Sequence, residues 1–245
     1  MDRRCWMLCV AMWVLGPGVG FAQEELDLGG MIDKAIVAAG GKEKLSKLNA
    51  QTWKSKITVY SIVGNSEQEG EYSVEWPNKF RSEIKDAYTL VRNGDEAWIK
   101  QGEELEELVG DRLLFLKEDL YVNWLRTLVP LRGKEFRYRP VPSIEVDEKP
   151  TVGVRVSSKG HRDVVFLFDK QTYLVVKVES KSRGMGVDGE LANIETYYSD
   201  YQEVAGTKVP TRVKVYRDGE LFMEIENSEI VRKEKFAPAV FSKPE

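Results

Sequence analysis

The chain has 245 residues, of which 36 are Lys or Arg and 40 are Asp or Glu, so its formal net charge at pH 7 is −4. Positive and negative residues are interspersed, which excludes the basic stripe of a nucleic-acid-binding protein and the basic amphipathic helix of a membrane-surface protein. With only one histidine, the sequence also excludes His-based metal sites. We therefore predict no metal, no cofactor and no nucleic-acid partner.

The first 22 residues have the order of a secretory signal peptide. Arg3 and Arg4 precede an apolar run from Cys5 to Leu15, and small residues around Ala22 offer a cleavage site. The run is shorter than the about 20 apolar residues that span a bilayer, and no later segment approaches that length. We predict an exported protein without a transmembrane segment, whose mature chain, residues 23–245, lacks cysteine and forms one domain.

Two helices are predicted before any strand. Apolar residues recur at three- and four-residue steps between residues 28 and 39, and Gly40 and Gly41 then provide a stop signal. Residues 42–50 predict a second, shorter helix.

From residue 52 the apolar period becomes two, which predicts strands with one face in a core. Strands are expected over residues 52–63, 70–76 and 78–84, followed by a hairpin over 88–100 that turns at Asn93-Gly94. The residues predicted to face inward are Trp53, Ile57, Val59, Val63, Tyr72, Val74, Trp76, Phe80, Ser82 and Ile84.

One long helix interrupts the strands. Apolar residues between Asp111 and Leu128 recur at helical spacing, and Pro130 follows the run. We predict that this wide apolar face is buried against the concave face of the sheet. The face consists of Leu113, Leu116, Leu120, Trp124 and Leu128.

Short strands then resume to the end of the chain. The whole sequence predicts about ten strands joined by short connections, which favours an antiparallel meander. Residues 163–169 are apolar on both faces, so something is expected to cover each side of that strand. The predicted fold is mainly β with helices (α+β), an unclosed antiparallel half-barrel wrapped around one or more helices.

No catalytic motif emerges. Gly184, Gly186 and Gly189 have the spacing of a dinucleotide loop, but residues 193–204 predict a strand where such a loop requires a helix, so we predict a hairpin loop. His161 lies in a predicted turn and is expected to be exposed and without a role. No serine has a Gly-x-Ser-x-Gly context. We predict that the protein is not an enzyme.

The inward faces are rich in aromatic and aliphatic residues, which fits either a filled core or an apolar ligand site. A curved sheet with a helix across it can enclose a cavity wide enough for acyl chains, and such sites are mostly apolar. The candidate ligand-binding residues are Trp53, Trp76, Phe80, Trp98, Phe115, Trp124, Phe166 and Val213.

Four stretches together resemble a known family, the periplasmic lipoprotein-carrier and sorting proteins (the Lol carrier superfamily). Residues 76–81 (WPNKFR) resemble its Pro-x-x-Phe-Arg strand start, and residues 93–98 (NGDEAW) resemble the hairpin that follows. Residues 198–212 (YSDYQEVAGTKVPTR) resemble its late hairpin, and residues 38–48 (AAGGKEKLSKL) are typical of its relatives. The resemblance implies an unclosed antiparallel barrel with helices in its concave side.

The best-known members of that family shield lipoprotein acyl chains in the hollow of the barrel. The resemblance therefore implies a periplasmic protein that binds a lipid, a lipoprotein acyl chain or another apolar ligand, with envelope proteins as possible partners. The alternative is a non-catalytic envelope scaffold or protein-interaction domain with a filled core. Whether the helix over residues 111–128 is a movable lid or a permanent plug stays open at this point.

Overall fold

The computed structural model describes residues 27–183 and 191–245. The predicted signal peptide and the loop with Gly184, Gly186 and Gly189 lie outside the described residues. Cleavage near Ala22 and the loop interpretation therefore stay predictions.

The two N-terminal helices form as predicted, α1 over Leu28–Ala38 and α2 over Lys42–Lys47. The Asp27 side chain caps α1 by accepting a hydrogen bond from the backbone N–H of Gly30. Gly40, which follows α1, has a φ of 127°, and a Cβ there would lie 2.7 Å from the carbonyl oxygen of Gly206. Glycine at this position therefore allows α1 to end against the sheet.

Fourteen strands and one long helix make up most of the described chain. The long helix, α3, spans Gly110–Leu125, and two short 3-10 helices span Val129–Arg132 and Pro238–Phe241. The strands before α3 are β1 (Ala50–Val59), β2 (Ser66–Glu75), β3 (Lys79–Ile84), β4 (Tyr88–Asn93), β5 (Glu96–Gln101) and β6 (Glu104–Glu107). The strands after it are β7 (Arg137–Val141), β8 (Glu145–Val146), β9 (Lys149–Ser157), β10 (Val164–Asp169), β11 (Val175–Ser182), β12 (Ala192–Val204), β13 (Thr207–Arg217) and β14 (Glu220–Lys233).

All strands pair antiparallel in one sheet, in the order β6-β5-β4-β3-β2-β1-β14-β13-β12-β11-β10-β9-β7, with β8 paired to β9. The sheet consists of two meanders that are joined where β1 pairs with β14. Since β6 and β7 end the sheet without pairing to each other, the barrel is unclosed. The predicted half-barrel is confirmed.

Two segments differ from the pattern of the sequence. Residues 136–146, whose composition favours a single strand, form two strands, β7 and β8, with a break over residues 142–144. The β1 strand ends at Val59, so Val63, predicted to face inward, lies in the following loop and is 92% exposed.

Helix α3 packs against the concave face of the sheet. Its N-terminal part, with Leu116 and Leu120, packs in a cluster with Leu90 of β4 and Ala97 of β5. Its last residue, Leu125, belongs to the main core with α1 and β9–β13. The helix ends three residues before the predicted boundary, because Leu128 has a φ of 69°, but the Leu128 side chain is still buried.

The convex face is also covered in two places. Val165 and Leu167 of β10 pack against Val146 of β8, which confirms the expected cover on both sides of this strand. On β4 and β5, Val91 and Trp98 pack against Phe241 of the C-terminal 3-10 helix. Within the described residues, no helix combines the length and apolar character needed to cross a membrane.

Candidate ligand cavity

A cavity of about 240 Å³ lies between the C-terminal end of α3 and the concave face of the sheet. Its walls come from β1, β2 and β12–β14, and from the ends of α1 and α2. Small-molecule sites usually have volumes of about 300–1,000 Å³. The cavity is therefore smaller than a typical ligand site while α3 is in its present position. Aromatic and aliphatic residues in its wall include Trp53, Tyr72, Val74, Trp76, Val213 and Ile225.

Three of the eight residues proposed from the sequence line this cavity: Trp53, Trp76 and Val213. Trp53 stacks on Tyr72 of the neighbouring strand, with ring centroids 5.0 Å apart and an interplanar angle of 7°. Alternation along β1 and β2 points both rings to the concave side. The pair gives the cavity a flat aromatic wall.

Four other proposed residues are packed elsewhere on the concave side. Phe80 lies beside the cluster under the N-terminal part of α3, and Phe115 is buried on that helix. Trp124 packs beside the main core, and Phe166 lies inside it, with no exposed surface. None of these four side chains lines the cavity as it stands.

The placement of Trp98 on the concave face is wrong. Its neighbours on β5, Ala97 and Ile99, face the α3 cluster, so Trp98 points to the opposite face of the sheet. There it packs with Phe241 of the C-terminal segment. Both faces of β5 are covered, so a large apolar residue can be buried on either face. The apolar character of Trp98 therefore did not indicate to which face it points.

Cations line the cavity, and carboxylates do not. Arg126, Lys208 and Arg232 are in its wall, and no Asp or Glu is among the described residues that form it. Lys208 has a partner outside the cavity wall, Glu203, at 3.3 Å. For Arg126 and Arg232, no carboxylate lies within ion-pair distance in the described part of the chain.

The two arginines are held differently. The Arg126 guanidinium carbon lies 5.0 Å from the centroid of the Tyr198 ring. Arg232 donates hydrogen bonds to the carbonyl oxygen of Leu48 at 2.8 Å and to the hydroxyl oxygen of Thr207 at 3.2 Å. In both arginines the Nε atom is buried and has no hydrogen-bond partner among the described residues.

The sequence did not indicate Arg232 because a β-bulge changes the face that β14 presents. Ile225, before the bulge, points into the cavity. At the bulge the pairing of β14 with β1 shifts by one residue, and Glu229 has a φ of 50°. Beyond it Arg232 points inward, while Val231, which strict alternation from Ile225 would bury, is 47% exposed.

Polar contacts join α3 to the other half of the sheet. The Nδ1 atom of His161 lies 2.8 Å from a carboxylate oxygen of Glu118. The Tyr121 hydroxyl lies 2.5 Å from the hydroxyl of Ser158. The His161 ring stacks on Tyr121, with centroids 3.6 Å apart. His161 is exposed, as predicted, but it has partners: together with Ser158 it ties the middle of α3 to the sheet beyond the end of β9.

A third polar contact of α3 involves a buried carboxyl group. The Ser182 hydroxyl donates to Asp119 at 2.6 Å. Burial raises the pKa of Asp119 above its ordinary value, although the hydrogen bond from Ser182 and the charge of Arg162 act in the opposite direction. The charged form of Asp119 therefore costs free energy in the folded protein.

We expect Asp119→Asn to stabilise the protein at neutral pH, by on the order of 1 kcal/mol. A folded-state pKa above the unfolded value means that Asp119 adds stability only at low pH, where it is protonated, and that this stability is lost as the pH rises through the folded pKa. The asparagine keeps an acceptor for Ser182 without the charge. Urea unfolding at several pH values would measure the difference between variant and parent, which should shrink as the pH falls toward about 4.

Asp95→Asn is the matched control for this measurement, because its pKa shift has the opposite sign. A hydrogen bond and the charge of Lys117, 2.8 Å away, lower the pKa of the exposed Asp95 carboxyl. Its removal should therefore not stabilise the protein at neutral pH. An Asp119→Asn variant that is less stable than the parent at pH 7 would contradict the expectation.

Comparisons with known proteins support the fold. No family profile matches the sequence, and no curated protein matches it. Among solved structures, a LolA superfamily protein from Nitrosomonas europaea is similar with a TM-score of 0.59 and 11% identity, over 88% of this chain and 97% of that one. A domain named for outer membrane lipoprotein sorting, from Vibrio parahaemolyticus, has a TM-score of 0.57 and 12% identity, over 86% and 97% of the two chains.

A protein of the DUF1329 family from Desulfovibrio piger is also similar, with a TM-score of 0.61 and 13% identity, over 87% of this chain and 96% of that one. At these identities the likeness concerns the fold. The resemblance to the lipoprotein-carrier group that the sequence suggested is confirmed at that level: this chain has a LolA-like fold over nearly its whole described length.

Proposed function

We propose that the protein is an exported, periplasmic, non-catalytic binding protein, and that the domain over residues 23–245 holds a lipid, a lipoprotein acyl chain or another apolar ligand under α3. The observation that carries the proposal is the cavity between α3 and the sheet, with the stacked Trp53–Tyr72 pair in its wall. The cavity wall combines aromatic and aliphatic side chains with polar ones such as Gln51, Asn123 and Asn227. Small-molecule sites likewise combine apolar walls with polar groups that fix the orientation of the ligand. The LolA-like fold of the solved relatives agrees with it.

The size of the cavity adds a requirement to the proposal. About 240 Å³ lies below the range of about 300–1,000 Å³ that is usual for small-molecule sites. An acyl chain therefore needs α3 to move away from the sheet. In this proposal α3 is a lid, and Phe80, Phe115, Trp124 and Phe166 are sites that a bound chain reaches only when the lid opens.

The filled-core scaffold is the second candidate, and the same small volume favours it. In that case α3 is a permanent plug, and envelope proteins rather than lipids bind the outside. Native mass spectrometry of the mature protein, purified from its own cell envelope, separates the two candidates. A lipid that co-purifies in stoichiometric amount supports the binding protein, and a ligand-free mass supports the scaffold.

A substitution that fills the cavity tests its location. Val213 faces the cavity from β13, so we expect Val213→Trp to weaken binding of a fluorescent fatty acid by about tenfold or more, equivalent to at least about 1.4 kcal/mol. The matched control is Lys214→Trp, because Lys214 is the next residue on the strand and lies on the opposite face, with Glu224 at 3.0 Å. Equal affinities of the two variants would show that the ligand binds elsewhere.

A further inference from the structure

Two arginines in the cavity wall, neither of them paired with a carboxylate of the described residues, indicate the chemistry of its ligand. We propose that Arg126 and Arg232 bind the anionic head group of an amphiphile, a carboxylate or a phosphate, while its apolar chain lies in the cavity under α3. This inference rests on the proposed function and adds a head-group charge to it.

The first argument is electrostatic. Arg126 and Arg232 line one cavity whose described wall contains no carboxylate. Both arginines are partly buried, so their charges lose part of their hydration without gaining an opposite charge, and two cations in one cavity also repel each other. Burial, and then the charge of Arg126, lower the pKa of Arg232 to about 10. An anion that lies between the two groups relieves both costs.

The second argument concerns hydrogen-bond donors. The Nε atoms of both arginines are buried and without a partner among the described residues. A guanidinium group presents a planar fork of N–H donors that matches a carboxylate or a phosphate. Because the whole chain has a net charge of −4, cations lining this cavity are not a consequence of a generally basic composition.

Structural roles account for only part of this arrangement. Arg126 is the C-cap residue of α3, where a positive charge interacts favourably with the helix dipole. Arg232 links β14 to Leu48 and Thr207. Neither role uses the Nε donors, and neither requires both guanidinium groups to line the same cavity.

The test compares ligands that have the same apolar chain and either an anionic or a neutral head group. Binding of a long-chain fatty acid is compared with binding of its methyl ester, and a monoacylglycerol phosphate with the monoacylglycerol, by displacement of a neutral fluorescent probe. We expect the anionic member of at least one pair to bind about tenfold more tightly or better, as is usual for hydrogen bonds to a charged group. The pair with the larger preference identifies the carboxylate or the phosphate as the head group.

Variants of Arg126 connect the preference to the site. Arg126→Met breaks no hydrogen bond from Arg126 to a described side chain. It should remove most of the preference, because the anionic member of each pair loses far more affinity than its neutral partner. Arg126→Lys keeps the charge and should retain part of the preference. Arg212→Met is the control, since Arg212 pairs with Glu226 at 2.9 Å on the opposite face of the sheet.

The outcomes separate the two proposals. Equal affinity of the parent protein for charged and neutral ligands overturns the head-group inference and leaves the proposed function in place. A preference that survives both Arg126→Met and the double variant with Arg232→Met also overturns it. No binding of any chain-bearing ligand overturns both. Inorganic phosphate that binds as tightly as the amphiphiles would identify a site for a free anion, and the amphiphile assignment would be wrong.

Discussion

A disulfide bond between α3 and β11 is expected to abolish uptake of a fluorescent fatty acid, and its reduction should restore uptake. The pair is Asp119→Cys with Ser182→Cys, at positions whose side chains are 2.6 Å apart. If α3 is a lid over a cavity of about 240 Å³, a covalent bond between the middle of the helix and the sheet holds it shut. Uptake in the oxidised form should fall to background.

The same sample provides the control, because oxidised and reduced forms have one sequence. The other cysteines, Cys5 and Cys9, lie in the predicted signal peptide, so the mature variant would carry the engineered pair alone. The closed loop is long, and loop-closure entropy predicts that oxidation stabilises the fold by up to about 4 kcal/mol. Unchanged uptake in the oxidised form rules out the lid, and no uptake in either form favours the filled-core scaffold.

Phe241→Ala is expected to destabilise the protein by about 3–5 kcal/mol without weakening ligand binding. Phe241 is 1% exposed and packs on Val91 and Trp98, with an edge-to-face contact to Phe236 at 5.5 Å between ring centroids. Its removal leaves a cavity between the C-terminal segment and the convex face of β4 and β5. Because the ligand cavity lies on the concave face, affinity measured well below the melting temperature should stay at the parent value.

Ile62→Ala is the matched control for this stability measurement. Ile62 is also a large apolar residue, but it is fully exposed in the loop after β1, so its truncation should change the free energy of unfolding by less than about 0.5 kcal/mol. Urea unfolding of both variants measures the difference. A loss of less than about 1 kcal/mol in Phe241→Ala would show that the C-terminal segment does not contribute a packed core in solution.

The sequence by itself determined the fold class and the order of the elements. Alternation over 70–76 and 78–84 correctly placed Tyr72, Val74 and Phe80 on the concave side, since successive side chains of a strand point to opposite faces. Helical spacing predicted α1 and α3, because residues three and four positions apart lie on one face of a helix. Asn93-Gly94 located the turn between β4 and β5. These features depend on neighbours a few residues apart, which a sequence shows directly.

Only the tertiary structure decided where the cavity lies and which charges line it. The pairing of β1 with β14 brings together residues more than 160 positions apart, and no local pattern records it. Trp98 points away from the cavity because the C-terminal segment, far along the chain, covers the opposite face of β5. Arg232 faces the cavity because a bulge at Glu229 reverses the alternation of side chains along β14. In the sequence, Arg232 is a cation like the exposed Lys233 beside it, so nothing there distinguishes the two. Side-chain direction at such positions depends on pairing between distant strands, and therefore on the folded chain as a whole.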